Sequence, residues 1–326
     1  MSKNLLENAR MVFLEVTNYC NFRCNFCPQG ISKRPPEHMD TELAKNLIKQ
    51  LYEAGYENNL YFHLLGGPLL HPDIFEIVEF AAKRIPRAIL FTNGSLLTKN
   101  NIESIFDACP YELMISMQLV DEQSFKLRCS SMSWNRYISG IRNAVQYKLT
   151  HNTPTLLRMS VGMRKEDSIY PQDDYFPRVS PSSLRANMLE LFSDIPSLDS
   201  QQVQELLNSV EIPFKGGHLE LALGVSVSIK PMGNWRRIYR DEKVEKGSCP
   251  HVGKEFGILS NGNIVLCHLD YDGKTTFANV RDGELKYILH NPKIQQVITQ
   301  FSTKGIVPKN CQYCNVPHKF SKQTAG

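Results

Sequence analysis

The sequence predicts an α/β fold built on a parallel sheet, followed by a small cysteine-bearing module. Three observations carry this reading. Through the first half of the chain, short apolar segments of strand length alternate with segments of helical period, and little chain is left between them. Such β-α alternation implies parallel strands joined by right-handed crossovers. After Trp235 the elements shorten and four of the nine cysteines gather there. The length, 326 residues, suits two domains at about 150 residues each, although an α/β barrel can use it as one.

The elements follow in order. Val12 to Val16 reads as a buried strand leading into a cysteine-rich loop. Asp40 is placed to cap a helix with Leu43, Leu47, Ile48 and Leu51 on one face, closed by Gly55. Leu60 to Leu65 is the second strand and ends in Gly66-Gly67-Pro68. Asp73 to Arg84 is a helix with Ile74, Ile77, Val78 and Ala81 inward, stopped before Pro86. Ala88 to Phe91 is the third strand, ending in Thr92-Asn93-Gly94; Asn100 to Ala108 is a short helix and Leu113 to Met117 the fourth strand. Helical period returns at Tyr137, Ile138, Ile141 and Val145, and a fifth strand fits Thr155 to Val161. From Arg164 to Gly217 the chain is polar and proline-punctuated, with one clear helix near Ser200 to Val210. Leu219 to Ile229 is strand-like and a candidate for the sixth strand.

Composition is that of an ordinary globular protein, with 42% hydrophobic and 21% charged residues. A net charge of +4 and a pI near 8.5 call for no polybasic surface, so nucleic acid is not an expected partner. The apolar stretch Met11 to Leu14 stops at Glu15, too short for a signal-peptide core. The longest apolar candidate, Leu219 to Ile229, is interrupted by Glu220 and two serines and falls short of the roughly 18 residues of a membrane span. A soluble, cytoplasmic protein with no membrane partner is expected. An odd number of cysteines in such a chain argues for reduced thiols rather than a disulfide framework, and the close spacings then read as metal ligation.

Cys20, Cys24 and Cys27 form a C-x3-C-x2-C triplet at the exit of the first strand. Three thiolates on one loop can hold three irons of a cubane and leave the fourth open for chemistry. The alternative is three buried or zinc-bound cysteines, but zinc would want a fourth ligand nearby and the loop offers none. With Phe26 before the last cysteine, the motif resembles the radical S-adenosylmethionine (SAM) enzymes. That resemblance implies a [4Fe–4S] cluster whose open iron is chelated by SAM, and reductive cleavage of SAM to methionine and a 5′-deoxyadenosyl radical.

Neighbouring segments extend the resemblance over the first half of the chain. Leu65 to Pro72 is similar to the family's glycine-rich end of the second strand, which holds the SAM amino group, with Gly67 where a glutamate is usual. Backbone carbonyl contacts around Gly66 and Gly67 are therefore expected. Asn93 lies in the third-strand ending. Ser116 and Gln118 end the fourth strand, where family members place polar groups against the SAM ribose; ordinary strand-end polar residues are the alternative. Arg158 is a candidate for the SAM carboxylate, through the bidentate pairing a guanidinium allows, or a surface arginine.

Near the C-terminus, Cys249, Gly262 and Cys267 form C-x12-G-x4-C, followed after 43 residues by Cys311 and Cys314 in C-x2-C. Ser260 to Asn263 supplies a hairpin turn. The pattern resembles the shortened SPASM-type (twitch) auxiliary-cluster domain of some radical SAM enzymes, which implies a second [4Fe–4S] cluster on these four cysteines. A four-cysteine zinc site would use the same side chains. Of the remaining cysteines, Cys109 reads as a packed thiol. Cys129 lies on the strand C-terminal side, where it is either a hydrogen-atom donor of the kind epimerases of the family use or a structural thiol. Arg236 or Arg237 is placed to reach SAM or substrate, or else lies at the surface. Glu166, Asp167, Asp173 and Asp174 make an acidic loop, either solvated or closing over an amino-bearing substrate.

The resemblance implies a partial (β/α)6 barrel over about residues 8 to 235 and an auxiliary-cluster domain over 236 to 326. The implied activity is a radical SAM oxidoreductase acting on a small polar substrate, a sugar or aminocyclitol, with a reducing partner such as flavodoxin or ferredoxin. An epimerase or dehydratase on a sugar or peptide is the alternative enzyme. A non-catalytic iron–sulfur or zinc protein is the alternative from another class.

Overall fold

A computed structural model describes residues 5–118, 120–163, 180–209, 218–231, 235–239 and 241–316. The acidic stretch of Glu166, Asp167, Asp173 and Asp174 and the side chain of Arg237 lie outside the described residues. The helices are α1 (Leu5–Asn8), α2 (Thr41–Glu53), α3 (Ile74–Ala82), α4 (Lys99–Asp107), α5 (Glu122–Phe125), α6 (Trp134–Thr150), α7 (Pro181–Ser193), α8 (Ser200–Ser209), α9 (Leu285–Leu289) and α10 (Pro292–Lys304). The strands are β1 (Met11–Leu14), β2 (Asn59–Tyr61), β3 (Arg87–Thr92), β4 (Glu112–Gln118), β5 (Leu156–Met163), β6 (Leu219–Ala222), β7 (Val225–Pro231), β8 (Glu255–Ile258), β9 (Asn263–Val265) and β10 (Ala278–Asn279).

Helix starts are set by side chains that accept orphan amides: Asp40 from Leu43, Thr98 from Asn101, Ser133 from Arg136 and Ser180 from Ser183. Each such cap is worth about 1 kcal/mol. The helices then bury one stripe each, as in α2 with Ala44, Leu47, Ile48 and Leu51.

Six parallel strands run β1-β2-β3-β4-β5-β7, the order expected of a partial (β/α)6 barrel. Period two splits each strand between two faces. Leu113, Ile115, Met117, Leu157, Met159, Val161, Val225 and Val227 join the helices in the main core. On the opposite face β4, β5 and β7 carry Glu112, Ser116, Arg158, Ser226 and Ser228 beside Met114, while β1 to β3 present Phe13, Tyr61, Ile89 and Phe91.

Three sequence expectations change. Leu219 to Ile229 is a hairpin rather than one strand: Gly224 takes φ +71° and turns the antiparallel edge strand β6 back onto β7. Helix α7 arises inside the segment read as polar, because Pro181 occupies its first turn, where proline needs no amide partner, and Leu184, Met188, Leu191 and Phe192 are buried. Cys109 is exposed at φ 50° just past α4, not packed.

The boundary near residue 235 is no break in the sheet. β8 pairs parallel with β1, and β9 and β10 add antiparallel beyond it. Glu15, fully buried, clamps this junction. It accepts from Arg34 Nη1 and Nη2 at 2.7 Å each, from the Leu65 amide at 3.1 Å, and from the Ser260 amide and hydroxyl at 3.0 Å. Arg34 Nε reaches on to the Tyr271 carbonyl. A second apolar cluster, including Phe13, Leu65, Leu259 and Tyr271, fills this side. Among the described residues, no helix is long and apolar enough to cross a membrane.

Candidate functional site

The loop after β1 carries Cys20, Cys24 and Cys27 and is held by backbone. The Cys27 amide donates to the Cys24 carbonyl at 3.0 Å, the Arg23 amide to Arg128 at 3.2 Å and the Asn25 amide to Leu127 at 3.0 Å. Burial pushes the Cys27 thiol up to about 12 and raises Cys24 as well. Arg128 opposes the shift in both, whereas the neighbouring cysteines add to it: Cys20 for Cys24, and Cys20 and Cys24 for Cys27. Protonated thiols this close to one another are poised to exchange protons for metal. Among the described residues, the one group of three His, Cys, Asp or Glu ligand atoms lying within 4.8 Å of one another is His251, Glu255 and His268.

The other expected residues take distinct places. Gly66 lies where a Cβ would sit 2.2 Å from the Thr17 carbonyl oxygen and 2.7 Å from that of Tyr19, so it is glycine that lets the second-strand ending press against the cysteine loop. At Gly67 a Cβ would meet Asn93 Nδ2 at 3.4 Å and Cys20 Sγ at 3.8 Å, ordinary contacts that point into the site. Asn93 donates to Asn21 Oδ1 at 3.0 Å and approaches Cys20 Sγ at 3.6 Å. Phe26 is buried, and its carbonyl accepts from the Arg236 amide at 3.0 Å, while the Arg236 side chain is exposed. Ser116 and Gln118 meet at Arg128, the first through its carbonyl and the second through Oε1. Arg158, the third residue of β5, pairs with Glu112 at the start of β4 at 3.1 Å, toward the N-terminal ends of the strands and away from the cysteine loop. Cys129 is exposed beside that loop and donates its thiol to Asn25 Oδ1 at 3.0 Å.

These contacts separate the two glycines. Gly66→Ala is expected to destabilise the fold by about 3 kcal/mol, the upper range of overpacking, because the new atom strikes backbone. Gly67→Ala should fold normally and weaken SAM binding, measured by calorimetry. Native SAM affinity in Gly67→Ala would remove the proposed close approach.

In the C-terminal group, Gly262 at φ +86° turns β8 into β9, which runs on to Cys267. Cys311 and Cys314 are joined by an amide-to-carbonyl bond of 3.0 Å. Burial raises all of Cys249, Cys267 and Cys311, the last to about 12; Cys314 and Cys249 add to Cys311, and Cys311 to Cys267, so the four thiols share one field. Sequence reasoning missed Glu255 beside them. It is fully buried and accepts from His251 Nδ1 at 3.1 Å, His268 Nδ1 at 2.5 Å and the His268 amide at 3.1 Å. Burial pushes its carboxyl up, yet the hydrogen bonds from His251 and His268 hold it well below the usual range. His268 stacks on Phe13 at 4.7 Å, and His63 stacks on Phe91 at 4.2 Å. Burial holds His63 down to about 3, so its ring is neutral.

Residues 14–168 match the model of the radical SAM superfamily, and residues 249–315 match that of an iron–sulfur cluster-binding domain. The chain is 30% identical over 119 residues to the S-adenosyl-L-methionine-dependent 2-deoxy-scyllo-inosamine dehydrogenase of Niallia circulans, covering 36% of this chain and 48% of that protein. It is 28% identical over 161 residues to the probable GTP 3′,8-cyclase of Methanocaldococcus jannaschii, covering 48% and 53%. The chain thus spans about half the length of these relatives. Among solved structures, BtrN in complex with AdoMet and 2-DOIA is similar over 100% of this chain and 98% of its own, with a TM-score of 0.54 at 18% identity. SuiB of Streptococcus suis bound to S-adenosylmethionine is similar over 94% and 72%, with a TM-score of 0.59 at 14% identity. These likenesses describe the fold.

Proposed function

We propose that this chain, a member of the radical SAM superfamily with a C-terminal iron–sulfur cluster-binding domain, oxidises a hydroxyl-bearing carbon of a small polar substrate, a sugar or aminocyclitol. The observation that carries this reading is the run of serines Ser116, Ser226 and Ser228 on the inner face of β4 and β7, in a chain that also holds two cysteine groups. When bound, a [4Fe–4S] cluster with SAM at Cys20, Cys24 and Cys27 supplies a 5′-deoxyadenosyl radical, and a second cluster at Cys249, Cys267, Cys311 and Cys314 supplies a one-electron acceptor. The chain's own contribution is placement. Gly66 and Gly67 bring backbone close to the cysteine loop, and Ser116, Ser226, Ser228 and the neutral His63 offer hydrogen bonds to hydroxyls. The dehydrogenase among its relatives supports an oxidative outcome. A reducing protein such as flavodoxin or ferredoxin would deliver the electron that starts each turnover.

A second reading, epimerisation, is favoured by Cys129, whose exposed thiol lies beside the cysteine loop. Turnover of candidate aminocyclitols in heavy water decides between them. Oxidation gives a product two electrons poorer, formed at normal rate by Cys129→Ala. An isomeric product carrying one solvent deuterium, lost in Cys129→Ala, would replace oxidation by epimerisation.

A further inference from the structure

Arg128 is 2% exposed and sits where the ends of β3 and β4 meet the cysteine loop. Its Nη1 donates to Gln118 Oε1 at 2.5 Å, and its Nη2 to the carbonyls of Ser116 at 2.7 Å and Asn93 at 2.8 Å. The guanidinium carbon lies 4.8 Å from the centre of the Phe22 ring and 5.9 Å from that of Tyr137. All its partners are neutral. No carboxylate among the described residues pairs with it, and its buried Nε has no hydrogen-bond partner.

A buried cation surrounded by neutral groups is costly unless negative charge lies close by. The chain goes to some length to keep this one. β4 shifts register between Ile115 and Gln118, and Gln118 adopts φ 60°, a left-handed conformation rare outside glycine. Both put Gln118 Oε1 against the guanidinium. The backbone on either side of the charge is bonded to the cysteine loop, Arg128 to Arg23 and Leu127 to Asn25. Three thiolates on an iron–sulfur core are anionic, and one-electron reduction makes them more so.

We propose that Arg128 is the counter-ion of the iron–sulfur cluster held by Cys20, Cys24 and Cys27, a positioning residue whose charge raises that cluster's reduction potential. The inference rests on the cluster assignment at those cysteines. Removing the charge should make the reduced cluster harder to form without removing any ligand.

The test is a redox titration of the anaerobic holoenzyme followed by electron paramagnetic resonance, without SAM. The relevant cluster is identified by the signal that changes when SAM is then added. Arg128→Gln is expected to disfavour reduction at least tenfold, a fall of about 59 mV for one electron. Arg128→Lys, which keeps charge and loses the fork, should stay within about threefold of wild type. A Gln variant with full iron and an unchanged potential overturns the proposal, as does a Lys variant shifted as far as Gln. If Arg128→Gln folds but holds no iron at this site, native iron and potential in Arg128→Lys support the proposal. Loss of iron or of the fold in both variants assigns Arg128 to hydrogen bonding and overturns it. A wild-type protein with no SAM-responsive signal would instead refute the cluster assignment itself.

Discussion

Replacing Cys20, Cys24 and Cys27 together by alanine is expected to remove about half of the bound iron and sulfide and all cleavage of SAM. Two cubane clusters on seven cysteines call for about eight irons and eight sulfides per chain. The triple variant should retain about four of each, on Cys249, Cys267, Cys311 and Cys314. The fold should survive, because the loop is tied by backbone bonds from Arg23 and Asn25 to residues 127 and 128 and from Cys27 to Cys24, none of which uses a thiol. Losing three buried or partly buried sulfurs leaves small cavities, and Arg128, without the cluster's charge, keeps its hydrogen bonds to Gln118, Ser116 and Asn93. Metal analysis with a circular dichroism spectrum checks both halves. Four irons in wild type, with zinc in the C-terminal site, would overturn the second cluster. Undiminished iron in the triple variant would overturn the first.

Most of the sheet was legible because its strands are short apolar runs and its helices carry strong caps and clean stripes. Asp40 and Ser133 cap the helices they precede, and Ile74, Ile77, Val78 and Ala81 face inward as their spacing requires. The gathering of Cys20, Cys24 and Cys27 on one loop was legible for a different reason, since spacing along a loop survives folding. What was lost belongs to pairings distant in sequence. Nothing local says that Glu15 meets Arg34 and Ser260, or that Glu255 collects His251 and His268. The isolated acid inside the apolar strand Val12 to Val16 was the available signal for Glu15, and it read only as the residue that cuts the apolar stretch short of a signal-peptide core. Arg128 was hidden similarly: it follows a short turn of polar appearance, and only the closing of β3 and β4 over it removes it from water. Proline misled in one place. Pro181 looks like a breaker in sequence and acts as the first residue of α7 once Ser180 caps it.

Breaking the Glu15–Arg34 pair is expected to cost about 3–5 kcal/mol of stability, the range for leaving one buried charge unpartnered. Glu15→Gln is the sharper variant. It keeps the volume and an acceptor for the Leu65 or Ser260 amide, so packing changes little and the loss reports the orphaned guanidinium. The clamp draws on both ends of the chain: Glu15 continues β1, Arg34 leaves the cysteine loop, and Ser260 and Tyr271 belong to the C-terminal module. Glu15→Gln should therefore loosen the docking of β8 on β1 as well as lower the global stability. Urea denaturation measures the second, and amide exchange at β8 the first. Combining Glu15→Gln with Arg34→Met removes the stranded charge and should recover part of the loss, the non-additivity being the coupling between the two side chains. A loss below about 1 kcal/mol in Glu15→Gln, the size of an exposed ion pair, would mean that water reaches Arg34 and that the junction is held by its apolar cluster instead.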